Sequence, residues 1–135
     1  MLKYISFGRK EMAKITPQSA KAKGRTLQNS TAKKISEVTK IPCGKDELIQ
    51  GREMGQAGVD IKLYGKAKEM FPFSVECRNQ ETWSIPKWIK DAKKNQAKGT
   101  DWLLVIKRNR HEEVVVMDAK AFFDLYEQLI QTIWE

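Results

Sequence analysis

The chain has 135 residues, 41% of them hydrophobic, a formal net charge of +8, two cysteines and one histidine. That length holds one domain with a real core, and the apolar share excludes a wholly disordered chain. Cys43 and Cys77, far apart and outside any CxxC pair, are too few for a disulfide framework or a four-ligand zinc site, so reduced thiols in a cytosolic compartment are expected.

Residues 1–23 carry Lys, Gly, Ser, Gln and Thr without a persistent apolar period, and Pro17 interrupts them. They read as a basic, disordered tail ahead of a domain over 24–135, and with no apolar stretch behind Lys3, Arg9 and Lys10 they are not a secretory signal. A helix is predicted over about 25–39, with Leu27, Thr31, Ile35 and Val38 near one face and Pro42 and Gly44 as its stop. Residues 47–50 predict a short strand. Gly51, Gly55 and Gly58 mark a turn-rich stretch, and 59–63 alternates as a half-buried strand does. Residues 65–70 read as a connection and 71–77 as a further strand with Pro72 at its start.

Ser84 is the predicted N-cap of a helix with Pro86 in its first turn. Ile85, Trp88, Ile89, Ala92 and Gln96 form its stripe, and Gly99 follows as a stop. Residues 102–106 and 114–117 are short β-branched apolar runs, expected as buried strands. Asp118 caps a last helix whose apolar face carries Phe122, Tyr126, Leu129, Ile130 and Ile133. No run approaches the ~18 apolar residues of a membrane span. This order of elements predicts an α/β layer structure with a mixed central sheet and helices on both faces.

The basic excess lies at one end. Residues 1–45 hold 11 Lys/Arg against two acids, whereas 46–135 hold 14 against 15. A second cluster runs from Lys87 through Lys90, Lys93, Lys94 and Lys98 to Arg110. Such polarity suits a polyanion approaching one side; a solvated lysine-rich face is the plainer alternative. His111, in the polar turn 108–113, reads as a surface residue, which leaves histidine-based triads and metal fingers without their base.

Asp60 follows the glycine-rich turn, and Glu76 ends an apolar strand with Arg78 two residues on. Phosphodiester cleavage needs an activated water and compensation for charge building on the phosphate. Magnesium or manganese supplies both and prefers hard oxygen ligands. Two carboxylates from neighbouring strands can hold such an ion, and residues 76 and 78 share a face. The plainer alternative is an outward Asp60 and a Glu76–Arg78 ion pair on an exposed sheet.

The stretch 51–60 (GREMGQAGVD) followed by 72–81 (PFSVECRNQE) resembles small phage-encoded PD-(D/E)xK proteins of the Holliday-junction-resolvase-like group, over about residues 24–123. The resemblance implies a restriction-endonuclease-like core and divalent-metal cleavage of DNA, including branched forms, in the cytoplasm of a bacterial host. It sets Asp60, Glu76 and Arg78 at the metal and catalytic positions and Gln28 where relatives carry a helical glutamate that assists the metal. Arg25, Arg52, Lys62, Lys87 and Lys90 are the expected DNA-backbone cations, and a homodimer is expected because cutting two strands is simplest with two sites about a two-fold axis. Three positions depart from the family. Arg78 replaces a lysine and cannot hand over a proton; Gln28 adds no charge; Asp91-Ala92 stands where relatives have glutamine before alanine. These departures support a competing reading, a DNA-binding module that kept the fold and lost catalysis. A third reading is a partner-binding protein anchored through its C-terminal helix and Trp134. Trp83 is open to base stacking or packing; Trp88 and Trp102 are expected in the core, and Cys77 as a packed thiol facing away from Glu76.

Overall fold

A computed structural model describes residues 17–53 and 58–134. The elements are α1 (Pro17–Thr39), β1 (Ile49–Gly51), β2 (Ile61–Leu63), α2 (Gly65–Met70), β3 (Phe73–Asn79), α3 (Ile85–Asn95), β4 (Asp101–Lys107), β5 (Val114–Met117) and α4 (Ala119–Trp134). The five strands form one sheet in the order β1-β2-β3-β4-β5. Neighbours run antiparallel except β3 and β4, which are parallel and joined through α3. This is the expected α/β arrangement, a mixed sheet with helices, consistent with a restriction-endonuclease-like fold.

Strand alternation assigns the two faces of the sheet. Val75, Cys77, Leu103 and Val105 share a core with Leu27, Ala32 and Ile35 of α1. On the other face Leu104, Ile106 and Trp102 pack with Trp88 and Ala92 of α3. Both faces of β4 are therefore covered, which accounts for its unbroken apolar run. Trp88 and Trp102 are core residues, as expected.

Several boundaries move for identifiable reasons. α1 begins at Pro17, not near 25. Gln18, Ala20, Lys21, Ala22 and Lys23 are competent helix formers, and proline is tolerated in a first turn. They lack an apolar period because most of that turn faces solvent. Residues 17–23 thus join the fold, while the rest of the predicted tail lies outside the described residues. Val38 is exposed and Thr39 takes the buried place at the end of the stripe.

The connection at 65–70 is a short helix that buries Ala67. β3 starts later than predicted because the Phe71 amide closes α2 on the Ala67 carbonyl. It runs further, through Asn79, because the parallel ladder with β4 continues to Lys107. Ser84 makes no side-chain cap bond; its carbonyl accepts from the Trp88 amide. Asp118 does cap α4, its Oδ2 accepting from the Ala121 amide at 3.2 Å. Among the described residues nothing pairs with the outer edge of β5, and Val114 and Val115 are exposed, contrary to the expectation of a buried strand.

Candidate active site

Asp60 is placed by its backbone before its side chain matters. Its amide donates to the Val75 carbonyl of β3, and its own carbonyl accepts from the Arg52 amide at 2.7 Å. Gly58, at φ +107°, turns the chain into this position, a conformation that L side chains rarely adopt. The segment is therefore stitched between the end of β1 and the middle of β3, and Asp60 is 5% exposed. Its Oδ1 meets Arg52 Nη2 at 3.0 Å. Its Oδ2 accepts from the Cys77 amide at 2.7 Å and lies 3.4 Å from Arg78 Nη1.

Glu76 sits in the middle of β3 and points to the α3 side, like its ladder partner Leu104. It is 2% exposed. Oε1 accepts from Asn95 Nδ2 at 3.0 Å, and Oε2 accepts from Arg78 Nη1 at 3.2 Å. Burial, and next the charge of Asp60, push its carboxyl up to about 7, against the bonds from Asn95 and Arg78. Burial likewise pushes the Cys77 thiol up to about 12, so it stays protonated and packed, no nucleophile. Arg78 Nη2 also reaches Asp91 at 3.8 Å. The two acids and Arg78 thus form one buried charged group, not an ion pair on an exposed sheet.

A cleft of about 340 Å³ opens on the α1 side of Asp60. Lys21, Arg25 and Gln28 of α1 and Arg52 after β1 line it. Gln28 donates to the Arg52 carbonyl at 3.1 Å. A Cβ at Gly51 would stand 2.6 Å from Gln28 Nε2, so glycine leaves room for that amide. Of the predicted cations, Arg25 and Arg52 share this cleft with Asp60. Lys62 lines a different cleft with Tyr64, Lys68 and Thr100. Lys87 and Lys90 are on α3, outside both clefts. Trp83 is packed under the Arg108 guanidinium, 5.3 Å over its ring, so that ring face is taken. His111 is exposed, with Nδ1 2.8 Å from the Asn109 carbonyl.

Asn95 is a site residue that the motif does not reveal. A signal exists in the helix: positions 88, 92 and 95 share one face, so an amide interrupts a core stripe and needs a polar partner inside. Asp91, one of the departures from the family pattern, is a counter-charge for Arg78.

Among the described residues no group of three or more His, Cys, Asp or Glu side chains is gathered as a metal cage. Two carboxylates are nevertheless a suitable donor set for magnesium, which usually keeps several waters and takes one or two protein carboxylates. No helix among the described residues is long and apolar enough to cross a membrane.

No curated protein and no solved structure matches the chain. A family model, Phage putative PDDEXK endonuclease, matches residues 19–134. That span takes in the helix bearing Gln28, the turn bearing Asp60 and the strand bearing Glu76 and Arg78, and the chain belongs to this family of phage PD-(D/E)xK nucleases.

Proposed function

We propose that the protein is a divalent-metal-dependent DNA endonuclease that acts as a homodimer, with branched DNA such as four-way junctions as its substrate. The observation that carries this reading is the buried pair Asp60 and Glu76, joined through Arg78, with Asp60 also lining a cleft that holds Lys21, Arg25 and Arg52 beside Glu53. Asp60 and Glu76 would hold the ion, and Gln28 would orient a water bound to it through its amide oxygen. Bound there, magnesium or manganese supplies an activated water and charge compensation on the phosphate. Arg25 and Arg52 at the cleft, with Lys62, Lys87 and Lys90 further out, attract the phosphate backbone. Arg78 compensates the charge that develops on the scissile phosphate, with a guanidinium fork suited to paired oxygens. Asn95 fixes the rotamer of Glu76, and Arg52 holds one oxygen of Asp60, so both carboxylates are preorganised.

The test is incubation of the purified protein with end-labelled linear, nicked and four-way DNA, in manganese and in chelator. Metal-dependent products, most abundant on the four-way form, are expected. The second reading, a DNA-binding module without catalysis, is favoured by one observation: the Arg78 guanidinium already occupies oxygens of both acids. Under that reading every DNA form is bound and none is cut in either metal.

A further inference from the structure

We propose that α4 and the outer strand β5 form the face on which a second copy of this chain docks. In the single chain α4 stands clear of the body: among its described residues only Ala121 is buried. Its large hydrophobic side chains, from Phe122 to Trp134, are between 45% and 81% exposed. Val114 and Val115 extend the apolar surface onto the strand before it, which is also the unpaired edge of the sheet among the described residues.

Area argues for a stable partner. At these exposures each aromatic side chain offers roughly half or more of the ~150–250 Å² it would bury in full, and with the aliphatic side chains added the face is on the order of 1,000 Å². That exceeds the ~300–600 Å² of the largest patch on an ordinary monomer. It matches the ~800 Å² that each partner gives up in a standard stable interface. A short apolar edge strand with no charge or proline to blunt it adds a second route to pairing, strand to strand.

Charge selects among partners. The charged side chains of the described α4 residues are Lys120, Asp124 and Glu127, and Lys120 is paired with Asp124 at 2.7 Å. The face therefore holds no basic field for DNA. It also lacks the lysine-rich polar side of a helix that lies on anionic lipid. A nearly uncharged hydrocarbon surface is suited to its own image across a two-fold axis, where the same patch serves both partners. Two helices meeting antiparallel there also oppose their dipoles favourably. One further support rests on the nuclease reading: each chain carries one site, so two copies are needed to cut two strands in concert.

The experiment is sedimentation or light scattering of the full chain at micromolar concentrations, alongside Leu129→Asp and Val115→Lys. Circular dichroism and thermal melting check that both variants are folded. The wild type is expected at twice the 15.6 kDa chain mass. Leu129→Asp is expected at the monomer mass, and Val115→Lys with at least a tenfold weaker dimer. A wild-type monomer overturns the proposal, and so does a dimer indifferent to both folded variants. A wild-type monomer whose α4 amides lose exchange protection on deletion of residues 1–16 assigns the face to the chain's own N-terminal segment. A monomer that floats with anionic vesicles assigns it to lipid. None of these outcomes depends on cleavage, so a protein that cuts nothing can still pass, and an active monomer still fails.

Discussion

Arg78 Nη1 lies 3.2 Å from Oε2 of Glu76, two residues earlier on the same strand and on the same face of the sheet. The same nitrogen is 3.4 Å from Asp60 Oδ2 and donates to the Cys77 carbonyl at 3.0 Å, while Nη2 reaches Asp91. One guanidinium thus bridges three carboxylates, two of them almost fully buried. Without it, Asp60 and Glu76 would repel each other in a medium that screens poorly. A divalent ion that binds the two acids must share their oxygens with Arg78.

This predicts the outcome of changing residue 78. Arg78→Lys retains the charge but cannot span Asp60, Glu76 and Asp91 with one planar fork. Cleavage is expected to fall by ~10-fold, and further in Arg78→Met, which leaves buried carboxylates unpaired. A faster Arg78→Lys enzyme would show that proton handling, not charge, limits the reaction.

Asn95→Ala removes the hydrogen bond that α3 gives to Glu76. That bond lowers the Glu76 carboxyl, so its loss moves the rising limb of the pH–rate profile to more alkaline pH. Metal affinity is expected to weaken by ~10–100-fold, the usual scale for a residue supporting a metal ligand. Asn95→Asp, with a like charge against Glu76, is expected to be worse than Asn95→Ala. An unmoved pH profile in both would remove Asn95 from the site.

Glu76 also makes stability depend on pH in the metal-free protein. Its carboxyl rises from 4.5 to about 7 on folding, chiefly through burial. The folded state therefore holds a proton that the unfolded state has released. The contribution is fully present below about 4.5 and is lost as pH rises through about 7. Wild-type Tm in chelator is expected to fall across that window relative to Glu76→Gln, at roughly 4–8 °C per kcal/mol for a small domain. Added manganese should restore it at the alkaline end, by binding the folded state. Parallel Tm curves for the two proteins would contradict the assignment of this carboxyl.

Deleting residues 1–16 removes Lys3, Arg9, Lys10 and Lys14 with Glu11 and leaves α1 whole. If these cations track phosphates, the slope of log affinity against log salt shrinks by up to ~0.9 for each phosphate no longer neutralised. Filter binding on linear DNA at several salt concentrations measures it, and an unchanged slope makes the segment a bystander.

Much of the fold is legible in the sequence because periodicity reports burial. Trp88 with Ala92 and the run 102–106 announce their elements directly, whereas the run 114–117 announces a strand but not the exposure of Val114 and Val115. Periodicity is blind where an element faces solvent, and the first turns of α1 therefore carry the composition of a tail. It is also blind to what covers a face. The stripe on α4 promises burial, yet in one chain Leu129 and Ile133 meet solvent. At the site, Asp60 and Glu76 stand out because a carboxylate within or beside an apolar strand is costly without a partner, and Arg78, two residues after Glu76 and on the same face, is that partner. Asn95 and Asp91 come from a different element, and only the packing of α3 on β3 reveals their partners: Glu76 accepts a hydrogen bond from Asn95, and Asp91 is a counter-charge for Arg78.

The most direct measurement is cleavage of labelled four-way and linear DNA in manganese by wild type, Asp60→Asn and Glu76→Gln, with manganese binding followed by electron paramagnetic resonance. Removing a charged hard-oxygen ligand weakens a divalent site without removing side-chain volume. Both variants are expected to remain folded and to lose bound manganese and cleavage together, while wild type binds and cuts. Cleavage at the wild-type rate in both variants would contradict the assignment of Asp60 and Glu76 as the metal-holding pair.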